Sequence, residues 1–303
     1  MTRRLFSIVP TVLGVSVLVF AFLHAVPGDP VEIMLGESAS ARDVEGLRRT
    51  LGLDRPLALQ LATYFGRLAH GDLGVSIAFH APVATVIRER LPATLALAAV
   101  ALLFAVGTAV PLGVAAALRP RSFVDRAARL VSLAGVAIPS FVSGPLLVLV
   151  FAIGLGWLPV SGNDGPAHVI LPAATLALGM SGLLVRLTRS AMLDTLSADH
   201  LRTARAKGAS AARVTIVHAL RVALPPVVTV VGLQTGALLA GAIVTETIFA
   251  WPGVGRLVVQ AIGARDYPLV QGCVLTLGLV YVGVNLFTDF VLTLLDPRLR
   301  DDV

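Results

Sequence analysis

The sequence predicts an all-α integral membrane protein with six transmembrane helices. Of its 303 residues, 56% are apolar and only 14% are charged, whereas soluble globular domains usually carry roughly a quarter charged residues. The apolar residues recur in long uncharged runs from one end of the chain to the other, so they do not build one water-soluble core. Six of these runs approach or exceed the roughly 20 residues that a helix needs to cross a bilayer.

The six runs occupy residues 5–26, 92–118, 130–158, 169–185, 222–249 and 269–295. The first run is too long for a typical signal-peptide core and precedes no small-x-small cleavage site, so we expect it to stay as the first helix. The fourth run is the shortest, and the others have room for tilt or a kink. Prolines, each of which removes a backbone donor and invites a kink, interrupt the runs at Pro111, Pro139, Pro145, Pro225 and Pro226.

Arginine and lysine predict the direction of the helices, because they are retained on the cytoplasmic side when they lie in short loops. With the N-terminus inside, the cytoplasmic segments carry 15 basic and 6 acidic residues, and the external segments carry 9 basic and 11 acidic residues when Glu246, at the outer end of the fifth run, is counted with them. We therefore expect both ends of the chain in the cytoplasm.

The long external segment, residues 27–91, is expected to be folded. Apolar residues recur there at helical spacing in two stretches, and Gly52 and Pro56 mark the stop and the restart between them. The stretches are defined by Val44, Leu47 and Leu51, and by Leu57, Leu61, Tyr64, Phe65 and Leu68. The chain is thus divided into a first helix with an external helical region, residues 1–91, and a five-helix core, residues 92–303, whose cytoplasmic loop occupies residues 190–221.

Composition argues against several function classes. The basic residues do not gather into a compact stripe interleaved with aromatic residues, so we expect no nucleic-acid partner. A single cysteine, Cys273, allows no internal disulfide. The six histidines are scattered, and no pair has helical ligand spacing with a carboxylate, so no metal site is expected.

The most informative stretch is the cytoplasmic loop that begins at Asp199. It is predicted to form two short helices, because Gly208 can adopt the left-handed conformation that ends the first and Ser210 can cap the second. Small residues at positions 204, 206, 208 and 209 would let another protein approach the backbone closely, with charged contacts from the neighbouring basic residues. The residues expected to dock a partner are Arg202, Thr203, Ala204, Arg205, Ala206, Lys207, Gly208, Ala209 and Ser210.

This loop resembles that of the permease subunits of binding-protein-dependent ABC importers, which carry Glu-Ala-Ala, three residues and Gly, followed by an apolar-x-Leu-Pro. The matching positions here are Arg202, Thr203, Ala204 and Gly208, then Val222, Leu224 and Pro225. Arginine and threonine replace the glutamate and the first alanine, and the gap to Leu-Pro is longer; both departures are typical of the dipeptide, oligopeptide, glutathione and nickel branch. Further matches to that branch lie at residues 27–30, 51–56, 71–74, 89–94, 246–256 and 296–298.

The resemblance implies the type I ABC importer permease fold in a bacterial inner membrane. It further implies a homologous second permease subunit, two cytoplasmic ATPases into which the loop docks, and an external solute-binding protein. The implied cargo is a dipeptide or oligopeptide, with nickel or glutathione as alternatives.

The sequence contains no nucleotide-binding loop of its own. Such a loop needs Gly-Lys followed by Ser or Thr, but the only lysine, Lys207, lies between Ala206 and Gly208. We expect this chain to bind no cofactor and to be no enzyme, with ATP and magnesium held by partner subunits.

Two rival functions fit the sequence less well. A rhomboid-like intramembrane serine protease would use Ser181 in the fourth run, but the sixth run contains no histidine to act as its base. Ser181 and its flanking glycines are interpreted instead as a helix-packing surface. An ion-driven transporter usually shows repeated halves and charged residues near the midplane, and neither stands out. Possible pathway or gate residues are Glu246, Asn285 and Asp289.

Overall fold

The computed structural model describes residues 8–25, 41–51 and 54–295, and within these ranges the backbone is mostly helical. It forms no strand there; an isolated antiparallel bridge joins Val75 to Pro82. The all-α prediction is therefore confirmed for this part of the chain. In order, the helices are α1 (Ile8–Ala25), α2 (Ala41–Leu51), α3 (Leu57–Ala69), α4 (Val83–Leu118), α5 (Phe123–Ala137), α6 (Ser140–Leu147), α7 (Ile170–Leu196), α8 (Asp199–Ala206), α9 (Ala211–Ile248), α10 (Val254–Gly263) and α11 (Tyr267–Leu295).

Four helices, α4, α7, α9 and α11, are long and apolar enough to cross a membrane. A fifth span exists if α5 crosses together with α6 and the π turn that continues it to Gly154. Helix α1 coincides with the first apolar run, and its 18 residues fall within the range of about 17–25 that a span needs. The described residues thus contain four or five candidate spans by length and composition, and six stays a prediction.

The third apolar run, residues 130–158, forms two helices rather than one continuous helix, and the break lies beside Pro139, where the sequence predicts a kink. Helices α5 and α6 are bent by 115° at a break, where Ile138 is extended, with φ −99° and ψ 110°. Proline disfavours helical backbone in the residue before it and donates no hydrogen bond, so Pro139 explains the break. Pro111 lies inside the unbroken α4, and Pro225 and Pro226 lie inside α9.

Several helices extend beyond the apolar runs that predicted them. Helix α4 begins at Val83 rather than at residue 92, α7 ends at Leu196 rather than at residue 185, and α9 begins at Ala211 rather than at residue 222. Backbone hydrogen bonding continues a helix through polar residues, whereas apolar length reflects only the part that lipid could cover.

One of two compact units consists of residues 1–94 and 252–280. Its buried core includes Ile87 of α4, Leu257 of α10 and Leu269 of α11. Gly272 lets α11 approach α4 closely, because a Cβ there would lie 2.5 Å from the Val83 side chain.

The two helices expected between residues 27 and 91 are present as α2 and α3. Outside the described residues lie Gly52 and the motif residues 27–30 and 296–298.

In the same unit, a buried carboxylate fixes the turn before α4. Asp266 accepts hydrogen bonds from Ser76 Oγ at 2.5 Å and from the backbone N–H of Ala78 at 3.0 Å. It also accepts the Leu269 N–H at 3.1 Å, so the carboxylate satisfies a donor at the first turn of α11.

The other unit consists of residues 95–251 and 281–303. In it, α5 and α7 run antiparallel, since Asp125 contacts Arg189 near one end and Gly135 lies against Gly182 further along. A Cβ at Gly182 would lie 2.8 Å from the Ser132 carbonyl oxygen. The backbones therefore approach as closely as small residues permit.

Candidate functional site

The segment that contains the predicted docking residues, 199–210, consists of α8 and the turn that follows it, and we call it the docking segment. Gly208 has φ +82°, the left-handed conformation that glycine adopts without strain. Its N–H donates to the Arg205 carbonyl at 2.9 Å, and the Ala209 N–H donates to the Ala204 carbonyl at 3.2 Å. These two bonds form a Schellman motif, as the sequence predicted for the end of the first short helix.

Ser210 begins the next helix. Its Oγ accepts the Arg213 N–H at 3.4 Å, and its backbone is extended, as expected of an N-cap. The second short helix is not separate, however. From Ala211 the helix α9 continues through a π turn, Val214–Ala219, and on to Ile248. The docking segment therefore leads directly into a candidate span.

One apolar side chain anchors the docking segment to its own unit. Leu201 of α8 is fully buried and packs in a cluster with Met192 of α7 and with Val214 and Ala223 of α9. Sequence reasoning overlooked Leu201, although it is the only large apolar residue in α8. Ala204 and Ala209 pack against the same cluster, which supplies the apolar contact that accompanies a Schellman motif.

Most of the predicted docking residues are exposed on the side away from this anchor. Ala204 and Ala209 are half-buried, whereas the exposed ones are Arg202, Thr203, Arg205, Ala206, Lys207, Gly208 and Ser210. No heavy atom lies within 4 Å of the position that a Cβ of Gly208 would occupy. Glycine at 208 is therefore required by backbone conformation, and the space beside it is open to a partner.

A groove of about 470 Å³ runs along the docking segment. It brings together five predicted residues with three that sequence reasoning had not assigned to the site, namely His200, Arg213 and His218. The full lining is His200, Thr203, Ala204, Lys207, Gly208, Ala209, Arg213 and His218. None of these side chains is acidic, so the groove offers a small-residue floor and cationic walls to an acidic or carbonyl-rich surface.

The three possible pathway residues are not brought together. Glu246 is fully buried near the end of α9, and its carbonyl accepts the Trp251 N–H at 2.8 Å. Asn285 and Asp289 are half-buried in α11, where Thr288 packs against Gly232. Since Gly232 precedes Glu246 by 14 residues, that contact lies about 21 Å along α9 from Glu246.

Ser181 has the geometry of a packing residue. Its Oγ donates to the Leu178 carbonyl of its own helix at 3.1 Å, and the side chain is buried. The next residue, Gly182, forms the close contact with α5. Over residues 8–25, 41–51 and 54–295, no three His, Cys, Asp or Glu side chains are grouped as a metal site requires.

A second polar cluster, which sequence reasoning missed, lies between α5 and α7. The fully buried Asp125 accepts Arg189 Nε at 2.6 Å, Arg129 Nη2 at 2.8 Å and the Arg121 N–H at 2.9 Å. Arginine forks match carboxylates well, and a buried carboxylate needs such partners. The sequence signal was an acidic residue among arginines in the loop before the third run.

Two family models cover most of the chain. Residues 109–301 match the model described as binding-protein-dependent transport system inner membrane component. Residues 1–98 match the model for the N-terminal part of membrane components of such systems.

Similar proteins at high coverage include glutathione transport system permease proteins GsiC. The protein of Escherichia coli O6:H1 (strain CFT073) is 42% identical over 298 residues, which are 98% of this chain and 97% of that protein. The protein of Salmonella typhimurium (strain LT2) is 41% identical with the same coverage.

Solved structures of the inward-facing MetNI methionine ABC transporter share the fold. One crystal form aligns with a TM-score of 0.57 at 20% identity, covering 70% of this chain and 97% of the matched chain. Another gives 0.56 at 17% identity, covering 70% and 96%. The helical fold of the described residues, the apolar helices, the family models and the permease relatives all agree. This chain therefore belongs to the family of inner membrane components of binding-protein-dependent transport systems, and it is homologous to ABC importer permeases of the dipeptide, oligopeptide and glutathione branch.

Proposed function

We propose that this chain forms half of the membrane pathway of an ATP-driven importer for short peptides, with glutathione as the first cargo to test. The observation that supports the proposal is the structure of the docking segment, which is open on one side and anchored on the other. A Schellman turn presents an open, cationic groove on one side, while Leu201 ties the other side to α7 and α9. A partner that moves this segment therefore moves two candidate spans.

The energy for transport comes from partner subunits in this proposal. The sequence has no Gly-Lys-Ser/Thr loop, and the docking groove suits the surface of a cytoplasmic ATPase that holds ATP and magnesium. Two such ATPases, a homologous second permease and an external solute-binding protein complete the importer.

The proposed topology has six spans with both ends in the cytoplasm. Helix α1 is the first span, α5 with α6 forms the broken third, and the docking segment faces the cytoplasm. The excess of basic residues on that side supports this orientation. A single accessible cysteine introduced at Gly208 or at Gly156, combined with Cys273→Ser, should react with a membrane-impermeant thiol reagent from opposite sides of the membrane.

The proposed cargo rests on the relatives and on the predicted branch. The similar permeases are named for glutathione, which is a tripeptide and so falls within the short-peptide class that the sequence predicted. Dipeptides, longer peptides and nickel are the competing cargoes. Uptake of labelled glutathione, dipeptide and nickel by the reconstituted complex distinguishes them, and uptake of nickel alone would contradict the peptide proposal.

Coupling is tested by replacing Gly208 in the assembled importer. Gly208→Trp places a bulky side chain in the groove, so we expect ATP hydrolysis to continue while uptake falls at least tenfold. Gly208→Ala controls for backbone strain, which costs roughly 1–2 kcal/mol at positive φ. Gly156→Trp is the matched control, because Gly156 also has positive φ and open space around its Cβ position. Normal uptake by Gly208→Trp would overturn the docking proposal.

A further inference from the structure

A groove of about 520 Å³ lies between α5 and α7, next to the buried Asp125 but distinct from the docking groove. We call it the arginine groove, and it is defined by Arg129, Leu133, Val136, Val185, Arg186 and Arg189. Its volume falls within the range of about 300–1,000 Å³ typical of small-molecule sites. The docking segment does not contribute to it.

The arginine groove carries uncompensated positive charge. Arg129 and Arg189 both bind the single carboxylate of Asp125, and Arg186 has no ion-pair partner in residues 8–25, 41–51 and 54–295. The groove is thus lined by three guanidinium groups with one carboxylate beside it, which leaves two positive charges. The Arg129 side chain is 63% exposed, so it retains donors for a ligand.

Asp125 holds this charge in a fixed place. Its carboxylate is fully buried and bonded to both arginines, so neither guanidinium has to be ordered when a ligand arrives. Asp125 takes the Nε and Nη2 donors of both arginines, so their Nη1 groups are the donors left for phosphate oxygens, which guanidinium groups bind well.

The two ends of the arginine groove differ in polarity. Because α5 and α7 are antiparallel, Arg129 and Arg189 lie at the same end. On α5 the apolar wall follows one and two turns later at Leu133 and Val136, which are 66% and 65% exposed. Val136 lies about 10 Å along the helix from Arg129, so the groove changes from cationic to apolar over that distance.

We propose that the arginine groove binds the headgroup of an anionic phospholipid from the cytoplasmic leaflet, with an acyl chain against Leu133 and Val136. A phosphodiester joined to an acyl chain matches both the charge and the polarity gradient, whereas a free anion would leave the apolar end uncovered. Basic pockets between transmembrane helices on the cytoplasmic side are suited to such headgroups. The depth assignment rests on the orientation proposed above.

The test is lipid binding to the purified full-length chain in detergent, followed by native mass spectrometry with added phosphatidylglycerol or phosphatidylcholine. The main variant is Arg129→Gln/Arg186→Gln, which keeps the Asp125–Arg189 pair. Arg126→Gln is the matched control, because Arg126 is exposed on α5 and does not line the groove. Circular dichroism and gel filtration verify that each variant is folded.

We expect the double variant to bind phosphatidylglycerol at least tenfold more weakly, with no change for phosphatidylcholine and less than a twofold change for Arg126→Gln. Leu133→Ser/Val136→Ser should weaken long-chain phosphatidylglycerol more than a short-chain analogue. Unchanged binding by the folded double variant, or an equal loss in Arg126→Gln, would overturn the proposal. So would displacement of the lipid by millimolar glycerol 3-phosphate or inorganic phosphate, which would indicate a soluble anion. The assay needs neither ATP nor partners, so its outcome is independent of the transport proposal.

Discussion

Helix α7 packs in two contrasting ways along its length. Against α5 it forms a close contact in which Gly182 meets Gly135 and Arg189 meets the buried Asp125. Near its end, it meets the docking segment mainly through one buried side chain, Leu201, in the cluster with Met192. The first contact joins two closely approaching backbones and a buried ion cluster, whereas the second depends on one apolar side chain. The α5–α7 contact should therefore contribute more to the stability of the unit, and the docking segment should detach more easily.

The strongest way to break the α5–α7 contact is Asp125→Ala. The change leaves Arg129 and Arg189 without their shared carboxylate in a partly buried site, which is more costly than losing an exposed pair. We expect loss of folded protein from the membrane, measured by yield and by fluorescence-detected gel filtration. Asp194→Ala, at an exposed position of α7, should be tolerated; normal yield for Asp125→Ala would show that the cluster is dispensable.

A smaller disruption of the same contact is Gly182→Ala. Its Cβ would lie 2.8 Å from the Ser132 carbonyl oxygen and 3.0 Å from Gly135 Cα, and backbone atoms cannot move aside as a flexible side chain can. Overpacking of this kind costs about 1–3 kcal/mol, which should lower the thermal midpoint. Gly179→Ala, one turn away, has only a contact at 4.0 Å and should be neutral or slightly stabilising. Equal midpoints for the two variants would contradict the close approach.

Leu201→Ala sharpens the comparison by weakening the second contact alone. Truncating a buried leucine costs about 2–5 kcal/mol, and here we expect the loss to appear as local detachment of α8. Hydrogen exchange should accelerate in residues 199–210 and stay unchanged in α5. The exposed Arg202→Ala is the control. Faster exchange throughout α5 would mean that the two contacts are not independent.

The smallest expected effect is that of Ser210→Ala, which removes the N-cap of α9. The Oγ accepts the Arg213 N–H at 3.4 Å, a long bond, so we expect the lower part of the range of about 0.5–2 kcal/mol for lost caps. Exchange of the Arg213 amide should rise by several-fold. Ser197→Ala provides the control, since Ser197 donates to the Asp194 carbonyl and caps no following helix. No change at Arg213 would show that its amide needs no cap.

The sequence predicted well those features that depend on neighbours along the chain. Apolar length located α4, α7, α9 and α11, and the helical spacing of residues 57–68 located α3. Gly208 and Ser210 were predicted as stop and start signals because capping depends on residues within one turn. Helix ends were less accurate, since a helix can continue through polar residues beyond the apolar run.

The sequence by itself determined that this is a helical membrane protein, and the family resemblance predicted its docking segment. Only the tertiary structure decided that Asp125 is bonded by an arginine 64 residues away, that Leu201 is the anchor of α8, and that the third run breaks by 115° at Pro139. Composition and capping are local properties, readable wherever the residues stand. A buried ion cluster or a glycine contact arises only when distant helices meet, because its free energy comes from desolvation and close packing between them.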